Sequence, residues 1–377
     1  MIREELTRSA QVVIAGGGPA GLASAIRLCQ LGYQPLIIDR PRQPSDRKIG
    51  ESLAPSAWAV IQRLGISHLV NESRHLACPG HRSSWGLNGR LISKDFLLEP
   101  YGKGWHLDRI RFEIDLRNHA ESLGCQFTDQ PIHRLTASES GIWTLWLESL
   151  TTPLQAKFLI DATGRPSMIA HAAGARKQKV DQLVAWYGFL KPTSKPIRDA
   201  TGLIEARPEG WWYSGLLPDG WLVVAFLTDP DLLPVKNLHS PEEWQNWLEQ
   251  SVHTRQQVRE SKYCLSGHPA VAPAGSAVLD TIYGPNWVAC GDAAASYDPL
   301  SSHGIATAIA SGFDAAEAIH DLSCGNSQPL ENYSNRIKNS FKLYKTIRTE
   351  FYAQEDRWPD SVFWQRRNGC GISEPED

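Results

Sequence analysis

No apolar run in this 377-residue chain reaches membrane-spanning length, so no transmembrane segment is expected. Residues 1–10 carry charges of both signs and no apolar core, so they are not expected to be a signal peptide. An excess of one charge is also missing: 38 Lys and Arg against 41 Asp and Glu leave −3, and the basic residues are scattered. Nucleic acid and membrane are therefore not expected partners. Seven cysteines, an odd number without a C-x-x-C pair, give neither a disulfide framework nor a zinc spacing, so no metal site is expected. They suit a cytoplasmic protein with reduced thiols. Methionine is nearly absent, two residues against fourteen tryptophans. Tryptophan is a rigid, flat apolar surface with one donor, at home in a core or against a planar ligand. There are no internal repeats and no low-complexity segments, and the length allows a nucleotide domain carrying a second core.

What is present is most distinctive at the start. An apolar run from Gln11 to Ala15 leads into Gly16, Gly18 and Gly21 in G-x-G-x-x-G spacing, then Pro19, Ala20 and a helical stretch to Leu31. A second apolar run, Pro35 to Ile38, ends at Asp39 and Arg40. This is the order of a dinucleotide-binding βαβ unit. Gly16 serves the tight turn, Gly18 the approach of backbone to a pyrophosphate, Gly21 the close packing of helix on sheet, and Asp39 the ribose hydroxyls. The anion then sits at a helix N-terminus. Far along the chain, Trp287 to Ala289 ends in Gly291 and Asp292, and a Pro/Ser/Gly loop follows through Pro299, Ser302 and His303. An alanine-rich helical run then leaves Gly304 and Ile305, forming a second strand–loop–helix cradle.

Three shorter segments accompany these. Asp108 to Phe112, containing Arg109 and Arg111, opens an amphipathic helix reaching Gly124; Phe158 to Ile160 ends in Asp161, Ala162, Thr163 and Gly164; and Gly50, Glu51 and Ser52 follow Asp39 at short range. Between about Lys177 and Ser276 the sequence becomes β-branched and aromatic, with a Leu217 to Gly220 hairpin signal and a helix predicted near Glu242 to Arg259. From Asn332 to Arg367 the tail reads as helical and packed onto the body.

Together these segments resemble the FAD-dependent monooxygenases of the aromatic-hydroxylase type and their relatives, the flavin-dependent halogenases and geranylgeranyl reductases. The fold class implied is α/β: a Rossmann-like FAD-binding domain of the p-hydroxybenzoate hydroxylase type, an antiparallel β-sheet substrate domain and a helical C-terminal tail. The domains expected are 1–70, 104–176 and 277–325 for FAD, 71–103 and 177–276 for substrate, and 326–377 for the tail. By the same likeness Asp292 takes the ribityl chain, and Arg109, with Arg111 as the second candidate, the pyrophosphate. Pro299 lies near the flavin ring, and the amides around Gly304 and Ile305 face its N1/C2 edge, where a helix N-terminus stabilises the negative charge of reduced flavin. Asp161 and Gly164 close the nucleotide domain, and Gly50 to Ser52 lie against the flavin.

The likeness also bears on chemistry. A halogenase carries a W-x-W-x-I-P segment and a relay lysine. Here the corresponding stretch is Tyr213 to Pro218, without either tryptophan, and Pro79 to Gly86 holds no lysine, although Lys94 and Lys103 lie close in sequence. The pattern around Gly50, Ser83 to Gly86, Gly102 to Arg109, Gly210 to Ser214 and Arg357 to Pro359 is similar to flavoproteins that mature cysteine tryptophylquinone-containing amino-acid oxidases. That resemblance implies an enzyme hydroxylating a tryptophan of an oxidase precursor, its transient partner, through a flavin C4a-hydroperoxide. The alternative is a halogenase or hydroxylase of a small aromatic molecule. With one G-x-G-x-x-G in the chain, electrons come from transiently bound NAD(P)H or a separate flavin reductase, and oxygen from O2. Trp85, Trp105, Trp211, Trp212 and Tyr213 are the candidate substrate pocket, and His303 and Glu51 the candidate catalytic residues.

Overall fold

In the computed structural model, which describes residues 9–41, 47–138, 141–148, 151–195, 197–233 and 237–368, the first strand, Ser9–Ala15, lies in the middle of a sheet. It pairs in parallel with Leu36–Ile38 on one side and Leu154–Asp161 on the other. Gln126–Thr128 and Trp287–Ala289 extend the parallel order outward. Covered on both faces, such strands need near-continuous apolar residues; Val13, Ile14, Leu159 and Ile160 accordingly have no exposed surface. An antiparallel meander, Ile132–Ala137 and Trp143–Leu147, folds onto Leu154–Asp161.

Small residues set how closely the helices approach. Helices Pro19–Gln30 and Gly304–Ser323 pack together with the buried Ser24 hydroxyl donating to the carbonyls of Ala20 at 3.0 Å and Gly312 at 2.9 Å. A Cβ added at Gly312 would stand 2.2 Å from the Ala20 carbonyl oxygen, so no larger residue fits this crossing. The alanine run read from sequence is thus a close-packing device that brings both helix N-termini to one place.

The second sheet runs in the order Tyr263–Leu265, Val184–Pro192, Leu222–Thr228, Gly210–Leu216, Gly202–Arg207, Gly80–Ser84, Leu91–Asp95. Its pairings are antiparallel apart from Gly202–Arg207 against Gly80–Ser84. The hairpin closes at Leu217 to Gly220, where Leu217 N–H donates to Trp221 O at 2.7 Å and Gly220 takes φ +82°. Side chains alternate between faces along a strand. Ala185, Ala206, Trp211, Ala225 and Leu227 therefore share one face, packed toward the tail, whereas Trp186, Trp212, Val224 and Phe226 fill the other beneath Trp244 and Leu248.

The helix predicted near Glu242 to Arg259 is two helices, Pro241–Leu248 and His253–Glu260. Buried Glu205, from the neighbouring sheet, accepts from Val252 N–H at 2.6 Å and from Thr254 N–H at 2.8 Å, which starts the second helix afresh. The tail forms helices Gln328–Tyr352 and Val362–Arg367. Phe363 and Trp364 are buried, Trp364 Nε1 donates to Arg207 O at 2.9 Å, and Arg367 pairs with Asp229 at 2.7 Å. Among the described residues no helix is long and apolar enough to cross a membrane.

Candidate functional site

A cavity of about 410 Å³ lies between the two sheets, bounded by the N-termini of helices Pro19–Gln30 and Gly304–Ser323 and by the Trp211 face of the second sheet. Among the described residues neither helix is capped by a side chain; one starts at Pro19, which has no N–H to satisfy, and the other at Gly304, so both N-termini are left open toward the cavity. A Cβ built at Gly18, Gly164 or Gly304 would meet no atom within 4 Å. Open space at uncapped helix N-termini is what an extended anionic cofactor needs, and the residues present fit FAD. The glycines of the first motif divide accordingly. Gly18 faces the cavity, whereas Gly16, at φ +105°, and Gly21 are packing positions where a Cβ would stand 2.2 Å from Ala162 O and 1.9 Å from Gly16 O.

Around this cradle the lining includes Pro19, Ala20, Gly50, Glu51, Ser52, Arg109, Asp292, Pro299, Ser302 and Ile305. Arg109 starts helix Arg109–Ser122, whose N-cap Asp108 accepts from Arg111 N–H at 2.9 Å. Its guanidinium donates to Gly50 O at 2.6 Å and to buried Glu113 at 2.7 Å, which holds the Gly50–Ser52 loop against the cavity; Nε has no partner. Asp292 is 39 % exposed, into the cavity, with Arg165 Nε 3.5 Å away. The protein wall desolvates it and pushes its pKa up, against the pull of Arg165 and Lys177. Lys177, lowered to about 8 by burial, donates to Asp292 O, Arg165 O and Ser167 Oγ at 2.8–2.9 Å and so holds the Gly-Asp turn in place.

Beyond the cradle the cavity becomes an apolar recess against the second sheet. Its floor is Ala185, Ala225, Ala272 and Ala274, and its walls include Ile204, Trp211, Tyr213 and Leu227. At its edge Glu51, 1 % exposed, accepts a hydrogen bond from the Tyr213 hydroxyl and another from Gly50 N–H at 3.2 Å. Burial, reinforced by the Glu51 charge, raises the Tyr213 pKa well above its ordinary value. Tyr213 is therefore a permanent donor to that carboxylate.

Several residues singled out from sequence are elsewhere. His303 is exposed, its ring bonded to the Ser301 carbonyl, because the helix starts at the next residue and turns the side chain outward. Trp85 is core, among Phe351, Tyr352 and Trp364. Trp105 is buried in a small sheet, paired with Leu53 and Ala77. Trp212, adjacent to Trp211, faces the opposite side of its strand, against Phe226 and Trp244. Asp161 is wholly buried and holds its own turn together: Oδ1 accepts from Thr163 N–H at 3.0 Å and Oδ2 from Ala170 N–H at 2.9 Å. Gly291 is a packing position at φ +59°, where a Cβ would stand 2.7 Å from that of Ala20. Asp39 and Arg40 end the second strand outside the cavity, with Asp39 Oδ1 accepting from Arg40 N–H at 2.9 Å.

Sequence reading missed Arg165, Lys177, Tyr297 and Asp298. Arg165 directly follows the Asp161–Gly164 turn that the sequence marks, and Asp298 directly precedes Pro299, so both lay next to a visible signal. Lys177 and Tyr297 carried none.

The FAD-binding domain model matches residues 9–339. LodB of Marinomonas mediterranea, named as an FAD-dependent oxidoreductase, is 27 % identical over 372 residues, covering 96 % of this chain and 97 % of that protein. A tryptophan 2-halogenase of Chondromyces crocatus is 26 % identical over 373 residues, covering 96 % and 71 %. Among solved structures, the myxobacterial chondrochloren halogenase CndH superposes with TM-score 0.85 at 21 % identity, covering 98 % of this chain and 87 % of that one. QhpG, a peptidyl tryptophan dihydroxylase essential for tryptophylquinone cofactor biogenesis, superposes with TM-score 0.77 at 22 % identity, covering 98 % and 80 %. With the cradle, the cavity and a family match over most of its length, the chain belongs to the FAD-binding-domain family and is an FAD-dependent oxidoreductase.

Proposed function

We propose that this protein is a monooxygenase that hydroxylates an aromatic ring, the side chain of a tryptophan in an amino-acid oxidase precursor, during formation of a cysteine tryptophylquinone. The observation that carries the reading is one continuous cavity: an FAD cradle that opens into an apolar, alanine-floored recess edged by Trp211, Tyr213 and the Glu51 carboxylate. Likeness to LodB along nearly the full length of both chains supports flavin-dependent redox chemistry, and likeness to the fold of QhpG, a peptidyl tryptophan dihydroxylase, supports a protein-borne substrate. When bound, reduced FAD supplies the electrons that activate O2 for oxygen transfer. The chain's own residues bind and orient the ring between Trp211 and Tyr213 and keep water out of the recess. Glu51, held by the Tyr213 hydroxyl, takes the proton lost from the ring carbon that gains oxygen. Electrons come from NAD(P)H or a separate reductase. The setting is the cytoplasm, where the six described thiols, none in a disulfide, stay reduced.

Against halogenation stands the lining itself, which among the described residues holds no lysine to relay an oxidised halide. Lys94 is 70 % exposed beside Glu99, and Lys103 pairs with Glu72 over the Trp105 ring. The test incubates the FAD-loaded protein with NADH, O2 and a precursor oxidase. A gain of one or two oxygen atoms on one tryptophan is expected. Flavin turnover that leaves the precursor mass unchanged overturns the reading.

A further inference from the structure

The tail helix Gln328–Tyr352 lies outside the cavity, yet one of its side chains joins two cavity walls. Trp211 Nε1 donates to the Tyr352 hydroxyl at 3.0 Å, and that hydroxyl donates to Asp298 Oδ2 at 2.8 Å. Asp298 Oδ1 accepts from Leu300 N–H at 2.9 Å, and the Asp298 N–H donates to the Tyr344 hydroxyl at 2.8 Å. Trp211 and Asp298 both line the cavity, one on the recess side and the other beside Pro299 in the cradle loop. Tyr352 itself is not a lining residue.

The chain of bonds has one direction. An indole nitrogen only donates and a carboxylate only accepts, so the hydroxyl between them must accept from the first and donate to the second. Nothing competes for it, because Tyr352 and Trp211 are 0 % and 1 % exposed. Arg348, from the same helix, pairs with Asp298 at 3.2 Å and with Asp181 at 2.9 Å, which anchors the carboxylate. Arg348 and Arg367 also lie over the Tyr352 ring, at 4.8 and 5.5 Å from its centre. Every partner is thus fixed, and a shift of the Trp211 ring has one polar route out, through Tyr352 to the cradle loop.

We propose that Tyr352 is a positioning residue of the active site, tying the Trp211 wall of the recess to the Asp298–Ser302 loop of the FAD cradle, so that recess and cofactor loop move as one. The inference rests on the cradle holding FAD and is independent of what is hydroxylated. FAD dissociation constants measured by fluorescence titration for wild type, Tyr352→Phe, Trp211→Phe and the double variant test it. Both single variants keep an aromatic ring in place. Each is expected to weaken FAD about tenfold, and the double variant also about tenfold, because losing the indole donor or the bridging hydroxyl breaks the same connection. A hundredfold loss in the double variant means two independent contacts and overturns the proposal. So does unchanged FAD affinity in the single variants accompanied only by a lower melting temperature of the apoprotein, the result for a purely structural bond.

Discussion

Gly18 and Gly312 separate cofactor binding from folding, because the space around them differs. At Gly18 the backbone is extended, φ −80° and ψ −177°, and an added Cβ meets nothing within 4 Å. Gly18→Ala should therefore be near neutral for the apoprotein: about 0.4–1 kcal/mol gained by restricting the unfolded chain, offset by alanine being a poorer N-cap than glycine. The methyl group stands where the pyrophosphate has to approach the backbone. Each hydrogen bond to a charged group pushed out of reach costs about 1.5–3 kcal/mol, which weakens FAD roughly ten- to a hundredfold. Gly312→Ala is the converse, since its Cβ would stand 2.2 Å from the Ala20 carbonyl oxygen. Forcing the helices apart costs about 1–3 kcal/mol. With an unfolding entropy of about 2.1 cal/mol/K per residue over 377 residues, each kcal/mol lowers the melting temperature by roughly 1.3 °C. Apoprotein melting and flavin fluorescence titration read the two quantities separately. If Gly18→Ala bound FAD as tightly as wild type, the pyrophosphate would not lie at this helix N-terminus.

Three further outcomes follow from the same geometry. Glu51→Gln keeps the side-chain volume and a partner for Tyr213 but removes the proton acceptor, so hydroxylation should slow by about 10²–10⁴ with FAD affinity unchanged; equal turnover in a stopped-flow comparison would remove Glu51 from the chemistry. Burial lowers the His81 pKa from 6.5 to about 4, the nearby His106 and Lys94 adding to the effect. A depressed folded pKa means stability present above pH 6.5 and lost as pH falls toward 4, up to about 3 kcal/mol at 1.36 kcal/mol per unit. His81→Gln should flatten the melting-temperature profile across that window, and an unaltered slope would refute the assignment. Glu205→Gln replaces a buried carboxylate that accepts three hydrogen bonds from Val252 and Thr254. It should destabilise the protein by about 1–3 kcal/mol and raise amide exchange in helix His253–Glu260 more than in Pro241–Leu248.

The FAD cradle was legible in the sequence because its information is local. A strand, a glycine turn and a helix start specify one another within about twenty residues, and residues 9–31 and 287–305 each carry all three. The substrate side followed a rule that composition alone does not apply. Trp211 and Trp212 are neighbours on a strand, and with a period of two only one of them can face the recess. The alternation puts Trp211 on the recess face and Trp212 on the opposite one. His303 stands next to the flavin loop in sequence, but the first turn of a helix directs consecutive side chains about 100° apart.

What stayed hidden depends on contacts across long stretches of chain. Tyr352 meets Trp211 across 141 residues and Asp298 across 54, and Glu205 starts a helix 47 residues away. No periodicity or capping pattern marks such residues, since their side chains look locally like ordinary helix-surface or strand positions. Their partners become visible only once the tail is folded onto the second sheet. Such long-range contacts also assemble the site: Lys177 holds the Gly-Asp turn across 115 residues, and Tyr352 bridges the cradle loop and the recess. A nucleotide motif therefore identifies the cofactor, while the fit between cofactor and substrate is set by side chains that only the tertiary structure brings together.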